Sequence, residues 1–119
     1  MRTSFYRRVL PIFILIFSII VFFSGCASQQ LYYWGSYEDQ QYAYLKGESR
    51  EKQIEVLQKD LEKCTTDGKK SPPGFYAYMG MLYSEIGNDQ EAIACFEMEK
   101  SLFPEAAGLM DFLLKRYGR

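Results

Sequence analysis

Apolar side chains recur along this chain at helical intervals. Ile54, Leu57, Leu61 and Cys64 are spaced three, four and three residues apart, which stacks them on one face of an α-helix. Tyr76, Met79 and Tyr83 repeat the pattern at i, i+3 and i+7. No segment after residue 30 reads as a strand, so the pattern predicts an all-α fold. The polar positions agree, because Glu55 and Lys59 form an i,i+4 pair of favourable sense on a solvent-facing side.

Punctuation divides the pattern into five helices. Ser36 can cap the first, over 37–46, and Ser36-x-x-Asp39 reads as a capping box, with Gly47 as the stop. The second covers 49–65. The segment 66–74, with Gly68 and Pro72-Pro73-Gly74, reads as a loop between two helical hairpins rather than a domain boundary. A third helix over 75–86 ends at Gly87-Asn88, and Asn88 caps a fourth over 89–102. Pro104 closes that segment and opens a fifth helix over 105–117.

Residues 73–106 resemble one tetratricopeptide repeat, a 34-residue helix–turn–helix. Tyr76, Met79, Gly80 and Tyr83 match its first helix, Gly87 the turn, Ala92 and Phe96 the second helix, and Pro104 the exit. Glu99 departs from it, since a small residue is expected there. An offset of 39 residues echoes the repeat upstream, aligning Tyr76 with Tyr37, Tyr83 with Tyr44, Ile93 with Ile54 and Phe96 with Leu57. The expectation is therefore two TPR-like hairpins in 36–119 plus a C-terminal capping helix, which should show a polar face to water. The same alignment sets Cys95 on Val56, eight residues before Cys64. That is about 12 Å of helical rise, beyond the roughly 7 Å that a disulfide spans, so no bond between them is expected.

The first 25 residues read as a leader. Arg2, Arg7 and Arg8 precede an apolar run over 9–23, broken only by Pro11 and Ser18, and small residues follow. This is the layout of a secretory signal. As a helix the run measures about 22 Å, short of the roughly 30 Å hydrocarbon core. Phe23-Ser24-Gly25-Cys26 resembles the lipobox of bacterial lipoproteins, with Phe23 where Leu is usual. The resemblance implies lipidation at Cys26, cleavage before it, and a tether over 26–35. Three acyl chains would anchor the protein stably. Ala27, in place of Asp, implies an outer-membrane destination by the same resemblance. An inner-membrane protein with an uncleaved signal is the alternative.

Composition narrows the chemistry. The chain has 119 residues, enough for one domain, and contains no His. That excludes His-dependent triads and the commonest zinc sites. A net charge of −1 gives no footprint for nucleic acid. Cleavage before Cys26 would leave eleven basic against fifteen acidic residues, so attachment to anionic lipid would rest on the acyl chains. No catalytic residue, cofactor, metal site or small-molecule substrate emerges; the acidic pair Glu38 and Asp39 fits the N-terminal charge of a helix.

Tyr32, Tyr33, Trp34, Tyr37, Tyr42 and Tyr44 crowd into 13 residues beside the tether. Trp and Tyr favour protein hot spots and membrane interfaces, so these six are candidate partner-binding residues; packing on the first hairpin is the alternative. Tyr33-Trp34-Gly35-Ser36-Tyr37 and Tyr42-Ala43-Tyr44-Leu45 resemble a family of small bacterial outer-membrane lipoproteins associated with CsgG-like lipoproteins. That resemblance implies a non-catalytic adaptor or assembly accessory for such a lipoprotein on the periplasmic face. A regulator of a periplasmic cell-wall enzyme is the other expectation.

Overall fold

Helices form where the sequence punctuates them. The computed structural model describes residues 2–23 and 30–118. Cys26, its expected lipidation and the cleavage site lie outside the described residues. Helix α1 is Arg2–Phe23, followed by α2 (Tyr37–Leu45), α3 (Arg50–Thr66), α4 (Phe75–Glu85), α5 (Asp89–Leu102) and α6 (Ala107–Lys115). Among the described residues there is no strand, only an isolated bridge between Tyr32 and Lys70. The all-α expectation holds. No helix among the described residues is long and apolar enough to cross a membrane; Arg7 and Arg8 interrupt α1 before its apolar run.

The packed body is α2–α6, folded as two antiparallel hairpins, α2/α3 and α4/α5, with α6 against α5. Leu57, Leu82 and Ala92 are wholly buried at their centre, with Phe75, Met79, Phe96, Met110 and Leu114 around them. Gly80 sets the distance between α4 and α5, because a Cβ there would lie 2.6 Å from the Phe96 ring. The two turns before α4 and α2 use Gly74 and Gly35 in the left-handed region, at φ +86° and +47°. At both, a Cβ would also crowd a neighbour, the Tyr37 hydroxyl at 3.0 Å and the Asp60 carboxylate at 2.6 Å.

Two buried carboxylates hold the helix starts. Gly74, the N-cap of α4, has no side chain to offer the orphan N–H groups of the first turn. Glu99, 2% exposed on α5, supplies the acceptor instead. Its carboxylate accepts from the N–H groups of Gly74 at 2.6 Å, Tyr76 at 3.2 Å and Ala77 at 3.3 Å. The residue that departs from the repeat pattern is thus the cap of the neighbouring helix. Asp60 plays the matching part in the first hairpin, accepting from the Ser36 N–H at 2.7 Å and from the Ser36 hydroxyl. The expected capping box at Ser36 and Asp39 does not form: the Ser36 N–H that Asp39 would accept donates to Asp60 instead, and the Ser36 side chain makes no cap bond.

Other caps and ends follow the sequence reading. Ser49 Oγ accepts from Lys52 N–H at 3.3 Å, and Asn88 Oδ1 from Glu91 N–H at 3.3 Å. Glu55 and Lys59 pair at 2.6 Å on an exposed face. The fifth predicted helix is shorter than expected, since Pro104–Ala106 forms a 3₁₀ turn before α6 begins. Cys64 and Cys95 are both free and buried. Burial pushes both thiols up, Cys95 to about 12.

Candidate functional site

The described part of the tether is fixed to the body. Tyr33 N–H donates to Lys70 O at 2.8 Å and Lys70 N–H to Leu31 O at 3.4 Å. Residues 31–34 therefore run beside the loop that joins the hairpins. Tyr32 completes the attachment by resting on Phe103, with ring centroids 6.3 Å apart.

The six aromatics of the sequence cluster are divided by this arrangement. Tyr37 is buried among Phe75, Tyr78 and Trp34, with centroids at 5.5, 5.9 and 6.2 Å. It belongs to the core and presents no ring to a partner. Burial raises its phenol, with the Glu99 carboxylate adding to the effect. Tyr32 and Tyr33 are half-buried in the docked segment. Trp34 is 42% exposed and Tyr42 61% exposed, the latter under the Lys46 ammonium at 4.3 Å. Of the six, Trp34 and Tyr42 are the most exposed, Tyr32, Tyr33 and Tyr44 are half-buried, and Tyr37 is buried.

Tyr44 joins the two hairpins. Its hydroxyl donates to Glu85, whose other oxygen pairs with Arg50 Nε at 2.6 Å. The Arg50 guanidinium also lies 3.9 Å over the Tyr44 ring, a cation–π contact. The bonds from Tyr44 and Arg50 hold the Glu85 carboxyl below its ordinary range. Deeper in the same seam, the Tyr78 hydroxyl lies 2.8 Å from the Gln40 carbonyl and 2.6 Å from Gln53 Oε1, either of which can accept its proton. Burial pushes the Tyr78 phenol up to about 12.

This seam borders an apolar groove of about 360 Å³ between α4 and α6. Met81 and Ala77 form one wall and Leu109 and Leu113 the other, with Phe96 behind and Glu85 and Arg116 at the rim. Tyr117, hydrogen-bonded to Ser84 at 2.6 Å, fixes the spacing of the walls. Such a groove can hold an apolar side-chain row of a helix or peptide. Helix α6 departs from the expected polar cap: Leu109, on the groove wall, is 60% exposed and Phe112, beside it, 69%. Among the described residues, no three His, Cys, Asp or Glu side chains are grouped to hold a metal ion.

The groove and its supporting seam escaped the sequence reading because they join residues far apart in the chain. Arg50 and Glu85, for example, are 35 positions apart. For Glu99 a signal was available, since the 39-residue offset places Asp60 on Glu99 and Gly35 on Gly74.

Stacked helical hairpins beside a small apolar groove define an all-α fold. Within that class, the chain belongs to the family described as a domain of unknown function (DUF4810), whose model matches residues 31–113. The match opens at the docked segment and closes inside α6. No curated protein and no solved structure matches the chain.

Proposed function

We propose that this chain is a lipid-anchored envelope lipoprotein that serves as a non-catalytic, TPR-like helical adaptor for another outer-membrane lipoprotein, of the CsgG-like kind. The observation that carries the reading is the open groove between α4 and α6, apolar on both walls and charged at its rim. The leader and lipobox supply the anchor, with acyl chains at Cys26 in the outer membrane, facing the periplasm. Docking of residues 31–34 supports the same picture. Leu31 lies five positions after Cys26, a reach of at most about 18 Å, so an anchored body stays close to the bilayer. The exposed Trp34 and Tyr42 offer a second contact on that side.

The test is affinity purification of the full chain from detergent-solubilised envelopes of its own host. Wild type is expected to recover an envelope lipoprotein, and Met81→Lys, which puts a charge on the groove wall, is expected to lose it. Recovery of nothing specific, or equal recovery by Met81→Lys, counts against the adaptor reading.

A further inference from the structure

The outer face of α6 carries a pattern that fits its own copy. Glu105 in the 3₁₀ turn before α6, Leu109 and Phe112 on α6, and Arg116 at its C-cap are spaced four, three and four residues apart, the spacing of one stripe along a helical segment. All four are exposed, Leu109 at 60% and Phe112 at 69%. Among the described residues neither Glu105 nor Arg116 lies within ion-pair distance of an opposite charge. The stripe is thus acidic at one end, apolar in the middle and basic at the other.

We infer that this face is a self-association surface on which two copies pack α6 against α6 in antiparallel fashion. Antiparallel packing about a two-fold axis between Met110 and Asp111 sets Glu105 opposite Arg116 of the second copy and Leu109 opposite its Phe112. A single register satisfies both the charged and the apolar pairs, twice each, as an isologous contact requires. Leu109 and Arg116 also line the α4–α6 groove, so self-association shares that wall with a groove-bound partner.

One helix per copy covers less than the roughly 1,600 Å² of a standard interface, so a concentration-dependent monomer–dimer equilibrium is expected. Sedimentation equilibrium of the full chain in density-matched detergent measures it. Phe112→Asp, at an exposed position that leaves the core intact, should weaken association about 30-fold, the effect of losing an aromatic anchor. Glu105→Arg and Arg116→Glu should each weaken it about 3- to 10-fold through like-charge contact. The double variant Glu105→Arg/Arg116→Glu should regain the wild-type constant, which only mutual pairing explains. A chain that stays monomeric throughout overturns the inference, as does association indifferent to Phe112→Asp or a double variant no better than the singles.

Discussion

Glu99→Ala removes the acceptor that closes the start of α4. Three backbone N–H groups lose their partner, one of them in a 2.6 Å bond to a carboxylate oxygen. A hydrogen bond to a charged group contributes about 1.5–3 kcal/mol net. The two longer bonds share the other oxygen and add less, and the carboxylate's interaction with the helix dipole adds up to about 2 kcal/mol in buried geometry. These overlap, and alanine's helix propensity offsets a few tenths, so a loss of about 3 kcal/mol is expected. For a domain of this size 1 kcal/mol moves Tm by about 4–8 °C, so the melting point should fall by about 12–24 °C. Glu99→Gln keeps the shape and one acceptor oxygen, and should lose about half as much. Glu97→Ala, on the exposed side of the same helix, should stay within about 0.5 kcal/mol. Circular dichroism melts of the four full-length chains in the same detergent measure the series. Glu99→Ala melting within about 2 °C of wild type would refute the capping argument, whatever Glu99→Gln does.

Gly80→Ala should destabilise by about 1–2 kcal/mol in urea titrations, although alanine is ordinarily the better helix former, because its Cβ would meet the Phe96 ring at 2.6 Å and overpack the α4–α5 contact; a gain in stability contradicts that packing. Asp60→Ala should release the start of α2, so hydrogen exchange should quicken at the Ser36 amide and leave α5 unchanged; uniform exchange across both hairpins contradicts the local role. Stability should also fall in alkali: the Cys95 thiol and Tyr78 phenol ionise near pH 9 and 10 in the unfolded chain but only near 12 when folded. Their raised values leave stability intact below pH 9 and lower it progressively toward pH 11, a loss that Cys95→Ala should reduce and that a flat profile to pH 11 contradicts.

The helices were legible because their ends are marked locally. Ser49, Asn88, Gly87 and the Pro-Pro-Gly break act within a few residues of themselves, and the structure uses each where it stands. Gly80 and Ala92 were legible too, since small residues at those positions imply a close helix approach that the Phe96 contact realises. Contacts spanning the hairpins were harder. Glu99 looks out of place at a position where a small residue is expected, until its carboxylate is seen to serve α4, 22 to 25 residues upstream. Ser36 has a local acceptor pattern at Asp39, but the buried Asp60 outcompetes it with two bonds. The aromatic cluster reads as one surface because it is continuous in sequence. Helix α2 divides it, turning Tyr37 into the core and Tyr42 to solvent. The polar cap expected of α6 rests on a general rule for the ends of helical stacks, and Leu109 and Phe112 break it.

Membrane attachment depends on the fate of Cys26. Intact-mass and amino-terminal peptide mass spectrometry of the chain purified from its host envelope measures that fate. The predicted result is a polypeptide beginning at Cys26, carrying a diacylglyceryl thioether and an acylated amino terminus, with Cys26→Ala retaining the leader. A chain that keeps residues 1–25 and an unmodified Cys26 thiol contradicts the lipid anchor, and the proposed placement at the membrane with it.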